Sequence, residues 1–304
     1  MKIRYFFRYI FCVSFSLVLA GCATQSSCQP TPVALLSISF RHGEPVFPAR
    51  IDGLPATMLF DTGALLSSVS PTGVKQFHLP VVFDRRLTLN GVGGSARNAT
   101  AQVKTLAFGG AVAGGLRMPI VRAPVSSNPG QRAVSGAIGN DILAHYDEDI
   151  DFPAHQVFLL KTGDCTTLTP WSGPAATVHF SLARGDTAIA FPMRINGEPV
   201  TAILDTGATN TVLSPGTFAR ISAHGPHPQR LGEHFSRGIG ARHTRVTAYR
   251  LNSLSVGGVL MAHPVVTVLH HAVLPFGLVI LGENFIRHHE LFIDHQTNTL
   301  YVHP

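Results

Sequence analysis

Residues 47–71 read FPARIDGLPATMLFDTGALLSSVSP, and residues 191–215 read FPMRINGEPVTAILDTGATNTVLSP. The two stretches align without a gap and share 13 of 25 residues at an offset of 144 positions, from Asp61 to Asp205. Units this long are not those of a solenoid, whose repeats are much shorter; a chain that contains itself twice at such spacing builds two similar lobes.

The echo continues downstream. G91-V92-G93-G94 answers to G238-I239-G240, and L106-A107-F108-G109-G110 to L254-S255-V256-G257-G258. A137-I138-G139-N140-D141-I142-L143 answers to I280-L281-G282-E283-N284-F285-I286, and D149-I150-D151-F152 to F292-I293-D294-H295. Each half therefore runs hairpin, Asp-Thr-Gly loop, glycine-tipped hairpin, strand, apolar-apolar-Gly, short helix, strand. Val, Thr, Gly and Pro are abundant and no long amphipathic helix pattern appears, so the expected fold class is all-β. The expected lobes are residues 36–162 and 177–304, joined by a Pro- and Gly-bearing linker at 163–176.

A single Asp-x-Gly is often no more than a turn. Here a pseudo-twofold would set equivalent residues opposite each other across its axis, so Asp61 and Asp205 are expected to meet. Two adjacent carboxylates cannot both ionise, so the pair retains one proton. Its ionised member can draw a proton from water while its protonated member donates to a carbonyl oxygen. The neighbours suit that work. Thr62 and Thr206 offer hydroxyls to the opposite lobe, and Gly63 and Gly207 remove side chains where two backbones must approach.

The paired Asp-Thr-Gly-Ala loops, the two glycine hairpins and the apolar segments ending at Gly139 and Gly282 resemble the pepsin and retropepsin family of aspartic proteases. The resemblance covers roughly residues 36–304 and implies a two-lobed acid-protease fold. It implies an endopeptidase with Asp61 and Asp205 as catalytic pair and Thr62, Gly63, Thr206 and Gly207 in support. Val92, Gly93, Ile239 and Gly240 would then be flap tips over an extended peptide. Ala64 and Ala208 stand where pepsins usually carry Ser or Thr and retropepsins carry Ala. No tyrosine lies between Asp84 and Lys104, where pepsins have one. The chain looks like a fused retropepsin dimer, and without a loop hydroxyl to stabilise the ionised carboxylate its optimum is expected to be less acidic than pepsin's. The alternative is a catalytically inactive peptide-binding module of the cell envelope on the same fold. A third reading is a structural envelope protein whose Asp-Thr-Gly loops are only turns.

The amino terminus reads as a targeting segment. Lys2, Arg4 and Arg8 precede a short apolar core, and L19-A20-G21-C22 resembles the bacterial lipoprotein signal motif. Residues 1–21 are thus expected to be removed, Cys22 lipidated, and 22–35 left as a tether. Ala23 after that cysteine would favour the periplasmic face of the outer membrane. Cys28 and Cys165 remain as a possible disulfide in an oxidising compartment. Hydrophobic residues make up 45% and charged residues 13%, which excludes a disordered chain. The net charge of +6 is scattered rather than massed, which argues against nucleic-acid binding. The partners expected are a peptide or protein substrate and a membrane, and the chain is expected to be a monomer.

Other chemistry finds less support. Among the sixteen histidines, H270-H271 and H288-H289 are adjacent pairs without the spacing of a helical metal site, and H-E-x-x-H is absent, so they are read as surface or loop residues. G91-V92-G93-G94 is not followed by Gly-Lys-Ser/Thr and is no phosphate loop. Ser135 lacks the glycines of a nucleophile elbow, and Cys165 has no paired His motif. No cofactor or metal is expected.

Overall fold

A hairpin opens each repeat. Glu44–Ile51 pairs antiparallel with Leu54–Phe60, and Ala188–Ile195 with Glu198–Leu204. The turns are Asp52-Gly53 and Asn196-Gly197, and all four residues have φ between +47° and +84°. That is the primed geometry matching strand twist, and Asp-Gly and Asn-Gly are the pairs that adopt it readily. The second strand of each hairpin starts half exposed and ends as a continuous buried run, because its end is flanked on both sides. Gly136–Ile138 pairs parallel with Met58 to Phe60, and Leu278–Leu281 pairs parallel with Thr201 to Leu204. Parallel strands covered on both faces read as unbroken apolar runs, which is why M58-L59-F60 and I203-L204 lead straight to the aspartates.

This is a computed structural model that describes residues 30–83, 87–91, 94–122, 133–161, 163, 171, 173–183, 188–223, 227–236, 244–271, 274 and 277–303. Each lobe is built on one main sheet. The N-terminal one runs Ala111–Pro119, Thr100–Phe108, Glu44–Ile51, Leu54–Phe60, Gly136–Ile138 and Ser68–Val69 in spatial order. The C-terminal one repeats the hairpin and parallel core and adds Gln229–Ser236 and Thr244–Arg250 at one edge. Short helices, Asn140–Leu143 and Glu283–Ile286, follow the two Gly139 and Gly282 segments. Among the described residues no helix is long and apolar enough to cross a membrane. The molecule is a mainly β, two-lobed fold of the kind the repeat announced.

A third sheet joins the lobes. Asp147–Asp151 pairs antiparallel with Glu290–Asp294 at its centre, with Asp151 opposite Glu290 and Glu148 opposite Ile293. Gln156–Lys161 and Thr31–Ser37 extend one side, Thr299–His303 and Ala176–His179 the other. Two strands therefore start inside segments expected to be tether and linker. Thr31–Ser37 begins within 22–35 because Ala34 and Leu36 alternate into the core at 3% and 1% exposure. Ala176, expected as the last linker residue, is the first of a strand paired to Val302. The hydrophobic core runs continuously through both lobes and this sheet, with Phe47, Phe60 and Phe152 from one half and Phe191 and Phe285 from the other.

The joining sheet carries an acidic strand, DEDID, that is mostly buried. Glu148 faces His295 Nε2 at 3.3 Å, and Asp147 Oδ1 accepts the His295 backbone N–H at 2.8 Å. Burial, then Glu290, then Asp151 push the Asp149 carboxyl up to about 7, and Asp149 and Glu290 share a side-chain hydrogen bond. The folded protein thus keeps a proton that the unfolded chain releases near pH 4, so this pair weakens the fold as pH rises from about 4 to about 7. Asp149→Asn removes that proton dependence. Thermal melts should show the variant gaining on wild type across this window, by up to ~4 kcal/mol, and matching or trailing it below about pH 4.

Candidate active site

The two Asp-Thr-Gly loops are built alike, bond for bond. Asp61 N–H donates to Ile138 O at 3.1 Å and Asp205 N–H to Leu281 O at 3.0 Å, so each aspartate continues its parallel strand pair. Ala64 N–H then returns to Asp61 O at 3.3 Å, and Ala208 N–H to Asp205 O at 3.2 Å, closing tight turns. The base of each loop is tied to the short helix behind it: Asn140 N–H donates to Ala64 O at 2.9 Å and Glu283 N–H to Ala208 O at 2.8 Å.

Between the loops the threonines cross. Thr62 N–H donates to Thr206 Oγ1 at 3.0 Å, and Thr206 N–H donates to Thr62 Oγ1 at 3.1 Å. Each hydroxyl then donates onward, Thr62 Oγ1 to Leu204 O at 3.2 Å and Thr206 Oγ1 to Phe60 O at 2.8 Å. Both threonines are fully buried, so every one of these bonds forms away from water. The crossing leaves no room at the next residue. A Cβ on Gly63 would lie 2.2 Å from Asp205 Cγ, and one on Gly207 would lie 2.7 Å from Asp61 Cγ. Each carboxyl therefore rests over the other loop's glycine, while its own glycine donates N–H to its Oδ1, at 3.0 Å for Asp61 and 2.9 Å for Asp205. Asp61 and Asp205 are brought together at a half-buried floor between the lobes.

The electrostatics follow from that meeting. Burial first, then the facing Asp205, hold the Asp61 carboxyl well above the usual aspartate range; N–H groups of Ala64 and Gly63 oppose this, and Glu44 adds to it. A pair so placed keeps one proton across mildly acid pH. Two further carboxyls surround it that sequence reading did not single out. Glu44 is pushed up to about 7 by burial and Asp205. Glu283, completely buried, is pushed up to about 9 by burial against the opposing pull of Arg287, with Asp205 and Glu44 adding to the rise. Arg287 donates to Gly43 O at 3.0 Å and lies over the Phe40 ring at 4.8 Å, so it ties the C-terminal lobe to the turn that carries Glu44.

A second ring of contacts was also missed, though the repeat held the signal. Ser67 donates its N–H and hydroxyl to Asp141 Oδ1, each at 2.7 Å, and Thr211 donates both to Asn284 Oδ1 at 2.8 and 2.9 Å. Positions 67 and 211, and 141 and 284, correspond in the two halves and keep a hydroxyl facing an Asp or Asn. Reading the alignment for polar pairs beyond the aspartates would have found them.

The expected flap tips Val92, Gly93, Ile239 and Gly240, and Cys22, Cys28 and Cys165, lie outside the described residues. The hairpins leading to the tips differ. Thr88–Gly91 and Gly94–Arg97 form a two-stranded sheet of their own, whereas Gln229–Ser236 and Thr244–Arg250 extend the C-terminal sheet through Val265–Leu269. Among the histidines, His289 is not a surface residue. It is buried, stacked on Phe285 with centroids 4.1 Å apart, with Nδ1 2.9 Å from Phe285 O, and burial lowers its pKa. Among the described residues no group of three or more His, Cys, Asp or Glu is placed to hold a metal ion.

A two-lobed β fold with an aspartate from each lobe meeting on crossed threonines defines a class, and comparison with protein families gives the same class. The aspartyl protease family model matches twice, over residues 47–142 and 191–285, so the chain belongs to the aspartyl protease family. No curated protein matches the chain.

Thr206→Val keeps the shape but strands the buried Thr62 N–H and Phe60 C=O. Urea unfolding should show a loss of about 2–6 kcal/mol, each of the two stranded groups costing about 1–3 kcal/mol. Thr62→Val should cost about the same, since the crossing is reciprocal.

Proposed function

We propose that the protein is an aspartic endopeptidase in which Asp61 and Asp205 together activate water. The observation that carries this reading is the placement of each carboxyl over the other loop's glycine, held by the crossed threonines. A water between the carboxyls loses its proton to the ionised member as its oxygen adds to the peptide carbonyl carbon. The protonated member donates to the carbonyl oxygen, giving a neutral tetrahedral diol. Collapse of the diol moves a proton to the departing amine nitrogen, breaks the C–N bond and restores one proton to the pair. No covalent enzyme intermediate forms. The threonine crossing keeps the carboxyls at fixed separation, so little reorganisation accompanies the charge movement.

The reaction needs one proton on the pair. Burial and mutual repulsion keep it there well above the ordinary aspartate range, and Ala64 and Ala208 supply no hydroxyl to draw it off. Rate against pH should therefore peak above about pH 3 and fall on the alkaline side as the shared proton leaves. The full chain, purified in detergent, should be incubated with a diverse peptide library and the products read by mass spectrometry. Asp61→Asn and Asp205→Asn should each lower kcat/KM by at least about 100-fold, and the double variant should be little worse than either, since the pair acts as one unit. A kcat/KM within about tenfold of wild type in either variant contradicts the proposal, as does a wild-type maximum below about pH 3.

The same reading places the enzyme on a membrane as a monomer, because one chain supplies both aspartates and L19-A20-G21-C22 supplies a lipidation motif. Labelled palmitate should enter the wild-type protein and not Cys22→Ala; label equal in both removes the anchor from the account.

A further inference from the structure

The aspartate loops are near copies, but the side chain behind each is not. Gly139 is followed by Asn140 in one lobe, and Gly282 by Glu283 in the other. Asn140 is the first residue of its helix, after the N-cap Gly139, and its side chain turns to the aspartate loop. Its Nδ2 amide donates to Thr62 O at 2.7 Å. That carbonyl belongs to the same peptide unit as the Gly63 N–H, which donates to Asp61 Oδ1 at 3.0 Å. The amide thus polarises and orients the donor that Asp61 leans on. In the C-terminal lobe the corresponding peptide unit joins Thr206 C=O to the Gly207 N–H, which donates to Asp205 Oδ1 at 2.9 Å.

Glu283 occupies the place of that asparagine. It is 0% exposed, and among the described residues neither of its carboxyl oxygens meets a hydrogen-bond donor. Arg287 follows four residues on, but among the described residues it makes no hydrogen bond to Glu283: its Nη2 donates to Gly43 O, its guanidinium lies over the Phe40 ring, and its buried Nε has no partner. An ionised carboxylate here would be a buried charge without a donor, in the field of Asp205 and Glu44. A neutral carboxyl has the opposite need, since it carries a donor and wants an acceptor.

We propose that Glu283 works as a neutral acid whose O–H does for the C-terminal loop what the Asn140 amide does for the N-terminal one. It donates to the Thr206 carbonyl and so aims the Gly207 N–H at Asp205. Glu283 is then a positioning residue that acts through the loop backbone and touches no substrate. The two supports differ in one respect. An amide donor is permanent, whereas the acid's donor is lost on ionisation, so the support under Asp205 has an alkaline limit that the support under Asp61 lacks. The groups that face Glu283 are Asp205 and Glu44, which favour its neutral form, and Arg287, which opposes it.

Glu283→Gln keeps the shape and fixes the donor. Because folding holds a proton that the unfolded chain releases, wild-type stability should fall relative to the variant as pH rises from about 5 to about 9, and the gap should then stop widening. Of the protonated buried carboxyl bands in the infrared spectrum at neutral pH, one should be present in wild type and lost in Glu283→Gln. In kinetics, which rest on the catalytic reading above, wild-type kcat should fall on the alkaline side at least about tenfold further than the variant's, with KM alike. Glu283→Ala should lose stability at every pH. If Glu283→Gln does not fold, Glu283→Asn, the residue of the other lobe, takes its place in the same comparison. Failure of both to fold, a stability gap that ignores pH, or no missing infrared band overturns the proposal. A wild-type chain that cleaves nothing but shows the gap and the band overturns the catalytic reading and upholds this one.

Discussion

The reciprocal hydrogen bonds between Thr62 and Thr206 are the constraint on which the rest depends. Each threonine hydroxyl accepts the other's backbone N–H and donates its own O–H to a carbonyl of the opposite lobe. The pattern closes only if two identical loops face each other, which is what a repeat at 144 residues provides. Once closed, it presses the following residues together so tightly that only glycine fits at 63 and 207, and it delivers each aspartate to the other's glycine. Sequence identity is highest around these loops because a single geometry must satisfy both halves at once.

Around this symmetric centre the surroundings are unequal. Position 44 is Glu where its counterpart 188 is Ala; 283 is Glu against Asn140; 287 is Arg against Ala144. All three charged residues gather on the side of Asp205, where the C-terminal loop meets the turn before Glu44–Ile51. The two aspartates share one backbone geometry but sit in different fields. A carboxyl pair that must divide one proton responds to such a difference, because each neighbouring charge or donor biases which member holds it. The asymmetry is therefore part of the site, even though none of the three residues has a like residue at the matching position of the other half.

Much of this was legible in the sequence, and the parts that were not share a physical reason. Asp52-Gly53 and Asn196-Gly197 announce primed turns, and the apolar runs before Asp61 and Asp205 announce strands flanked on both faces. Those features are local, or are made readable by comparing the chain with itself. Glu44 and Arg287 are neither: they come together through the interface between lobes, and each lacks a like counterpart in the other half. DEDID at 147–151 looks like an exposed strand by composition, yet it lies at the centre of the joining sheet, where Glu148 is fully buried and meets His295. Thr31–Ser37 overlaps the expected tether because its partner, Gln156–Lys161, lies at the far end of the lobe in sequence. Such pairings cannot be read from neighbours along the chain.

Membership of the aspartyl protease family gives the fold its class, and the crossed threonines give the carboxyls their meeting. Facing each other across this crossing, Asp61 and Asp205 should titrate as one unit. The measurement that tests it most directly is the carboxyl carbon NMR shift of isotope-labelled aspartates, followed from about pH 3 to about pH 9 and assigned with the single asparagine variants. Two coupled steps are expected, with one proton retained on the pair well above about pH 4 and a change in either aspartate's curve when the other is replaced. Two independent aspartates, each losing its proton near about pH 4 whatever stands at the other position, would contradict it.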